Sequence, residues 1–282
     1  MSVATANIFA DMTECSHGRH RRQMLGSIMS KNKFFAAIFA LRIYRLSSKI
    51  YFYIMPYTLY IVATPIGNME DITYRAVRIL KEVPLVLAED TRHSRILFDN
   101  YGITTPMEAY HDFNKEKVTP KYVEFLKNTG DIALVSDAGT PGVADPAFNL
   151  VRECVREGID VRAIPGPCAM ITALVSCGMP TDHFTFQYFS PKKSAQRIHL
   201  LEKLKDEEAT QIFYASPHNI DKFVEEIKQV FGDIKIALMR ELTKKFEEHL
   251  IGTPTEISAH FKAHPPKGEF VLVFNPQDKS GL

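Results

Sequence analysis

Short apolar runs alternate with longer helical stretches along most of the chain. Because strands that are apolar at nearly every position are buried on both faces, this alternation predicts a mainly parallel sheet covered by helices on both sides. The strands of the first half are Leu59–Ala63, Leu85–Ala88, Ile132–Ser136 and Val161–Ile164. Its helices are Tyr74–Lys81, a helix that starts at Asp145 or Pro146 and ends at Glu157, and Cys168–Cys177.

A second set of elements follows a pause in the pattern at residues 178–180. Its predicted strands are Phe184–Gln187, Gln211–Ala215, Ile234–Met239 and Phe270–Phe274. Its helices run approximately over Ser194–Lys205, Asn219–Phe231 and Pro254–Ala263. The pattern therefore predicts an α/β fold with two α/β domains, residues 55–179 and residues 180–282.

Residues 1–54 fall outside this pattern. They hold eight of the 34 Lys and Arg residues but only two of the 33 Asp and Glu residues. Arg42, Arg45 and Lys49 interrupt their apolar part, so no run reaches the ~20 apolar residues of a membrane span. We favour an upstream extension with translation starting at Met55. A helix lying on a membrane surface is the second interpretation, and an organelle presequence also fits.

The composition narrows the class of protein. With 282 residues, 45% hydrophobic and 24% charged, the chain is long enough for two soluble globular domains. Acidic residues outnumber basic ones after residue 54, so any contact with nucleic acid must come from a local basic patch. The four cysteines show no metal-site spacing, which favours a cytoplasmic protein without a metal.

Three of the predicted strands end in loops rich in glycine and proline. The loops are residues 64–68, 136–146 and 165–169. Ligands bind beyond the carboxyl ends of strands in open parallel sheets, and glycines there let the backbone approach a ligand closely. One such loop is explained by a tight turn or a helix cap, but three at equivalent ends favour a shared small-molecule site.

The loops lack the usual nucleotide signatures. Neither GxGxxG nor GxxxxGK[ST] occurs in them, and the chain shows no GxSxG nucleophile turn or HExxH zinc helix. A ligand without phosphates therefore fits better than NAD or ATP, and a hydrolase or dehydrogenase is disfavoured.

Six motifs, in order from Leu59 to Phe274, resemble the ribosomal RNA small subunit methyltransferase I family of the tetrapyrrole methylase superfamily. They are Ala63–Asn68 with Asp71–Thr73, Glu89–His93, Ser136–Pro146, Pro165–Pro167, Ser216–His218 and Arg240–Lys244. The resemblance implies the tetrapyrrole methylase fold, with S-adenosylmethionine bound in a cleft between two domains. It also implies a homodimer that methylates the ribose 2′-hydroxyl of a cytidine in the decoding region of small-subunit (16S) ribosomal RNA, free or in the assembled small subunit.

The resemblance also assigns a cofactor site, position by position. The matched residues are Pro65, Gly67, Asp137, Gly139, Thr140, Cys168, Ala169 and Tyr214. The chain departs from the family at Cys168, where Ser is usual, and over residues 187–191, where a Gly-Phe-Leu-Pro stretch is usual. It also departs at Ala215 and Asn219, where an acidic residue and Arg are common.

The sulfonium of S-adenosylmethionine is a potent methyl donor, so no metal is needed and alignment supplies much of the rate. A general base would add ~10²–10⁴-fold. The candidates for catalysis are Glu89, Asp90, His93 and Lys244, with Glu241 as a further possibility. For Asp90 and Arg92 the alternative is a helix start, in which Asp90 caps the helix and pairs with Arg92.

The best basic patch is Pro191–Arg197, which opens a helix near the domain junction. The predicted RNA contacts are Arg92, Lys192, Lys193, Arg197 and Arg240. Contacts of this kind position the RNA backbone, and base identity is read elsewhere. A solvated helix start is the alternative for this patch. Residues 111–114 form a polar loop whose single aromatic, Phe113, offers a surface for stacking a base.

Two other functions remain open at this point. A methyltransferase of the same superfamily acting on a small molecule, such as a tetrapyrrole, is disfavoured because those branches carry a Gly-x-Gly-x-Gly-Asp first loop, whereas this chain has Pro65-Ile66-Gly67-Asn68. A non-catalytic module that binds RNA or the ribosome keeps some support from the departures named above.

Overall fold

The computed structural model describes residues 57–278, and the predictions for residues 1–54 lie outside that range. The described residues form two five-stranded sheets. Within this part of the chain, none of the helices is both long and apolar enough to cross a bilayer.

The first sheet is parallel throughout, with strand order β3-β2-β4-β1-β5. Its strands are β1 (Leu59–Val62), β2 (Leu85–Ala88), β3 (Met107–Ala109), β4 (Ile132–Val135) and β5 (Val161–Ile164). The helices of this half are α1 (Tyr74–Glu82), α2 (Thr91–Tyr101), α3 (Lys115–Asn128), α4 (Ala147–Arg156) and α5 (Ala169–Ser176).

Successive side chains of these strands point into two separate apolar cores. Leu59 and Ile61 face one core with helices α3 and α4, whereas Val62 faces the other with α1 and α2. This alternation explains why β2 and β4 are buried at every position. The prediction of a parallel sheet covered on both faces is confirmed for this half.

The second sheet is mixed rather than parallel, with order β6-β7-β10-β8-β9. Only the β6–β7 pair is parallel, and the other three pairs are antiparallel. Its strands are β6 (Phe184–Phe189), β7 (Thr210–Ala215), β8 (Ile236–Arg240), β9 (Glu248–Gly252) and β10 (Phe270–Phe274). Helices α6 (Ser194–Lys203), α7 (Ile220–Phe231) and α8 (Pro254–Ala263) pack against one face of this sheet.

Helix α5 packs on the other face of the second sheet. Its residues Ala173 and Leu174 share a core with strands β7, β8 and β10, together with Cys177 and Met179. The end of the first half is thereby fixed against the second sheet, which brings the loops after the parallel strands next to strands β7 and β10.

Some element boundaries differ from those predicted. Helix α4 begins at Ala147 rather than at Asp145 or Pro146, because Asp145 Oδ1 accepts from the Ala147 amide and ends the preceding loop. The apolar pattern does not predict β3, β9, α2 or α3, although a helix start at Asp90 is the alternative considered for Asp90 and Arg92. The two strands lie at sheet edges and are only partly buried, while Pro120 inside α3 has the appearance of a helix breaker.

Candidate active site

The three glycine- and proline-rich loops meet at the carboxyl ends of β1, β4 and β5. The amides of Thr64 and Gly139 each donate to the other residue's carbonyl oxygen, at 2.9 and 3.0 Å. Thr140 Oγ1 donates to the carbonyl oxygen of Pro167 at 3.0 Å, which ties the second loop to the third. The expectation that these loops lie together is therefore confirmed by direct contacts.

Two glycines of these loops stand where a side chain would be strained or would clash. Gly139 has a φ of 81°, and a Cβ added to it would lie 3.3 Å from Ile66 Cγ2. Gly67 adopts an ordinary conformation, but a Cβ there would overlap the Lys244 side chain. Gly67 thus lets the first loop lie directly against a residue of the second half.

The loops and the second sheet enclose a cleft of about 450 Å³. Six of the eight residues predicted to bind the cofactor line it, namely Asp137, Gly139, Thr140, Cys168, Ala169 and Tyr214. Pro65 and Gly67 do not line it, and Gly67 contributes through its contact with the lining residue Lys244. Among residues 57–278, no group of His, Cys, Asp or Glu side chains is arranged to hold a metal ion.

Asp137 and Glu89 place two carboxylates on one side of the cleft. Asp137 Oδ1 accepts from the Asp90 amide at 3.0 Å, and Glu89 Oε2 lies 3.5 Å from the Asp137 amide nitrogen. Partial burial, together with the negative charge of Asp137, raises the pKa of Glu89 above its usual value of 4.5. Burial also raises the pKa of Asp145, another acidic residue of the lining.

Asp90 lies outside the lining and has a structural partner. It is the N-cap of α2, and its carboxylate accepts from the Arg92 amide at 2.8 Å and from the Arg92 guanidinium at 2.7 Å. These bonds hold the pKa of Asp90 well below its usual range. Asp90 and Arg92 therefore form a helix start, the alternative given for them above. Asp90 is a poor proton acceptor. His93 is exposed in the first turn of α2 and does not line the cleft.

Lys244 lines the cleft as a cation rather than as a base. Its Nζ lies 3.0 Å from Glu241 Oε1 and 2.8 Å from Glu269 Oε2. Partial burial alone would lower the pKa of Lys244, but the bonds to the two carboxylates outweigh it and raise that pKa. Lys244 is therefore protonated at neutral pH and suited to orienting an anionic or polar group.

Aromatic rings from β6 and β7 form the wall opposite the loops. Tyr214 and Phe189 line the cleft, with ring centroids 5.4 Å apart. Burial raises the pKa of Tyr214 to about 12, so its hydroxyl stays protonated. The remaining lining residues of the second half are Ala215, Ser216, Pro217, Met239, Leu242, Glu269, Phe270 and Val271. Of these eight residues, only Ser216, Pro217 and Leu242 belong to the six motifs of the sequence.

Comparison with known proteins agrees with this geometry. A family model described as Tetrapyrrole (Corrin/Porphyrin) Methylases matches residues 58–258. The chain is 44% identical over 216 residues to the ribosomal RNA small subunit methyltransferase I of Halalkalibacterium halodurans, covering 77% of this chain and 75% of that protein. It is 45% identical to the Haemophilus influenzae protein of the same name, covering 79% and 80%. This chain belongs to the ribosomal RNA small subunit methyltransferase I family.

Two solved structures share the fold of this chain. Diphthine synthase superposes with a TM-score of 0.60 at 15% identity, covering 77% of this chain and 89% of that one. The uroporphyrin-III-C-methyltransferase of Thermus thermophilus superposes with a TM-score of 0.55 at 19% identity, covering 78% and 94%. The prediction of the tetrapyrrole methylase fold is thus confirmed for this methyltransferase.

One predicted RNA contact of this methyltransferase is wrong. Arg197 is buried, and its Nε and Nη2 lie 2.6 and 2.7 Å from the Glu226 carboxylate. Its Nη1 donates to the carbonyl oxygens of Pro191 and Lys192. Four of its five N–H donors are engaged in this way and the residue is only 1% exposed, so Arg197 supports the loop before α6 instead of meeting an RNA phosphate.

The other predicted RNA contacts differ in how far their side chains already bind groups of the protein. Arg240 is engaged in the second sheet, with Glu248 at 3.1 Å and the carbonyl oxygen of Lys267 at 2.7 Å. Arg92 is exposed but pairs with Asp90. Lys192 and Lys193 are exposed and form no ion pair with any described carboxylate, so they are the cations best placed to meet a phosphate.

Proposed function

We propose that this protein is an S-adenosylmethionine-dependent methyltransferase that modifies the ribose 2′-hydroxyl of a cytidine in the decoding region of small-subunit ribosomal RNA. The observation that carries the proposal is the cleft in which the three tied loops face Tyr214 and Lys244. Family membership supports the reaction, because the relatives are named as methyltransferases of small-subunit ribosomal RNA.

The residues of the cleft fit S-adenosylmethionine in size and in chemistry. A volume of about 450 Å³ is ordinary for a small-molecule site. From the described residues, Asp137 accepts a hydrogen bond through Oδ1 alone, so Oδ2 is available to a ligand hydroxyl or cation. Apolar side chains of Ile66, Leu242 and Val271 would receive the adenine ring.

Glu89 is the residue we assign as general base. When bound, S-adenosylmethionine supplies a methyl group that forms a bond to the 2′-oxygen while the bond to sulfur breaks. Glu89 would accept the proton that the hydroxyl loses, since its raised pKa strengthens it as a base and it lines the cleft. The other candidates are less suited to this role, because Asp90 is ion-paired, Lys244 is held protonated by two carboxylates, and His93 lies outside the cleft lining.

The RNA would reach the cleft past Lys192 and Lys193. These residues follow β6, whose last residue, Phe189, lines the cleft. Arg92 belongs to the first half and lies in the first turn of α2, whose N-cap Asp90 donates its amide to the lining residue Asp137. Cations from both halves would hold the RNA backbone while the ribose enters the cleft.

We further propose that the enzyme is a cytoplasmic homodimer. Support for the dimer comes from exposed apolar side chains on three consecutive elements, the middle one of which is β5, an edge strand of the first sheet. These are Phe148 and Val155 on α4, Ala163 on β5, and Ile171 and Val175 on α5. The cytoplasmic location follows from the proposed substrate, which requires the enzyme to meet ribosomal RNA or the small subunit.

Calorimetric titration of S-adenosylmethionine into the full-length protein tests the cofactor site. We expect micromolar binding by the parent. Asp137→Ala should weaken it by about 10- to 150-fold, the value of a lost hydrogen bond to a charged group. Gly139→Trp should abolish it, because the loop has no room for a side chain. Asp99→Ala, an exposed aspartate on α2, is the control and should bind normally.

Methyl transfer to unmodified small ribosomal subunits, with detection of 2′-O-methylcytidine in the digested RNA, tests the substrate. We expect modification at a single cytidine that Asp137→Ala greatly slows. Methylation of a tetrapyrrole without methylation of RNA would favour the small-molecule alternative. RNA binding without cofactor binding would favour the non-catalytic module.

A further inference from the structure

Strand β6 contains a strained aromatic residue at a bulge. Phe186 pairs with Ile212 and Phe189 with Tyr214, so three steps along β6 match two along β7. Tyr188, inside this irregularity, has a φ of 64°. Left-handed backbone is costly for a residue with a bulky side chain, and such residues persist mainly at functional sites. Bulges next to active sites often redirect a side chain.

The strained backbone directs the Tyr188 ring to the mouth of the cleft. Its hydroxyl lies 3.5 Å from the carbonyl oxygen of Ala144, a lining residue from the first half. The edge of the ring meets Phe189, with centroids 5.2 Å apart, and Phe189 in turn meets Tyr214 at 5.4 Å. A chain of rings therefore runs from the buried wall of the cleft to a tyrosine whose surface is 51% exposed.

Two exposed lysines, without an ion pair to any carboxylate of residues 57–278, follow this ring closely along the chain. Lys192 and Lys193 are exposed, and Arg197 fixes their loop by donating to the carbonyl oxygens of Pro191 and Lys192. An exposed aromatic ring that is followed within five residues by two lysines on an anchored loop is suited to binding single-stranded nucleic acid. A base stacks on the ring while the lysines meet the adjoining phosphates.

We propose that Tyr188 stacks on an unpaired nucleobase of the RNA substrate, next to the nucleotide whose ribose enters the cleft. The inference rests on the proposed function and adds to it the residue that positions the RNA strand. Tyr188 is absent from the cleft lining, so its ring serves the RNA rather than the cofactor.

A pair of substitutions separates stacking from a structural role. Tyr188→Ala and Tyr188→Gly both remove the ring, but only Ala keeps a Cβ at a φ of 64°. We expect both variants to raise the KM for unmodified small ribosomal subunits by about 5- to 150-fold, the effect of losing one stacked base. Tyr188→Gly should nevertheless melt a few degrees above Tyr188→Ala, because glycine tolerates this backbone.

Tyr188→Phe should retain the parental KM, since the ring remains. Tyr74→Ala removes an exposed tyrosine on α1 and is the matched control, with unchanged KM and unchanged cofactor binding. A KM that follows stability, with Tyr188→Gly near the parent and Tyr188→Ala impaired, would overturn the inference, as would a parental KM in both variants. In either case the proposed function stands, because it depends on methylation by the parent. A parent that methylates no RNA would overturn both.

Discussion

At the scale of single residues, Glu89 combines partial burial with a neighbouring carboxylate. Both effects raise the pKa of Glu89, which makes it a stronger proton acceptor than an exposed glutamate. We expect Glu89→Gln to lower kcat by ~10²–10⁴-fold while S-adenosylmethionine still binds, because the change removes the base and keeps the shape. Single-turnover methyl transfer, with cofactor affinity measured in parallel, gives both quantities.

Asp90→Asn is the control for this prediction. Asp90 is ion-paired with Arg92 and caps α2, and Asn is also a good N-cap, so the rate should change little. A larger loss of kcat in Asp90→Asn than in Glu89→Gln would reverse the two assignments.

Glu89→Gln should lower the rate but raise the stability of the protein, and the gain in stability should depend on pH. Because the folded-state pKa of Glu89 lies above the unfolded value of about 4.5, ionisation of Glu89 opposes folding. Glu89→Gln and the parent should therefore be equally stable below pH 4.5. As the pH rises through the folded-state pKa of Glu89, the parent should lose stability relative to Glu89→Gln. The variant should therefore have the higher melting temperature at pH 7. Melting curves of both proteins at pH 4 and pH 7 test this. A difference in melting temperature that grows towards low pH would contradict it.

Single residues of the site were predictable from sequence to different degrees. Asp137, Gly139 and Thr140 stand in a loop directly after a buried strand; the local pattern singled out that loop, and the family resemblance assigned these residues of it to the cofactor site. Arg197 was not predictable, because its partner Glu226 lies 29 positions away and the sequence carries no record of burial. A charge in a basic run is indistinguishable from an RNA contact until the fold is known.

At the scale of elements, the Arg197–Glu226 pair joins α6 to α7. Both side chains are almost fully buried, and Ser194 Oγ also donates to Glu226. We expect Arg197→Met to lower the free energy of unfolding by about 3–5 kcal/mol, because it leaves a buried carboxylate without a partner. Adding Glu226→Leu should recover much of that loss. Urea unfolding of the two variants measures the effect.

The exposed Arg78–Glu82 pair on α1 provides the comparison. Arg78→Met should cost no more than about 1 kcal/mol, as for other solvated pairs. If the double variant Arg197→Met, Glu226→Leu unfolds as easily as Arg197→Met alone, the unpaired charge is not the cause of the loss.

Elements were predicted well where burial made their pattern uniform. Strands β2, β4 and β10 are buried at every position, and each was predicted within one residue. The direction of the strands in the second sheet was not predictable, because its helices alternate with strands much as in the parallel sheet. The decisive feature is that β8 and β9 are joined by residues 241–247 without a helix, which allows antiparallel pairing.

At the scale of the whole molecule, the cleft depends on contacts that no local pattern records. Its first wall comes from loops the sequence singled out. Its second wall includes Met239 and Val271, which have the pattern of ordinary core residues. These residues reach the cleft because α5 packs on the face of the second sheet to which they belong.

The apolar edge formed by α4, β5 and α5 leads to the last prediction. Val155 and Val175 are 65% and 71% exposed, and among the strands of residues 57–278 β5 pairs with β1 alone. Apolar groups on an open edge are commonly covered by a partner subunit. We expect the full-length protein to sediment as a dimer, and Val155→Asp with Val175→Asp to yield a folded monomer, because a buried pair of carboxylates would oppose association.

Ile96→Asp, at a site on α2 that is 59% exposed, should leave the dimer intact. A dimer that survives both valine changes would place the interface elsewhere. A monomeric parent would show that the edge is covered by some other partner or remains open to solvent.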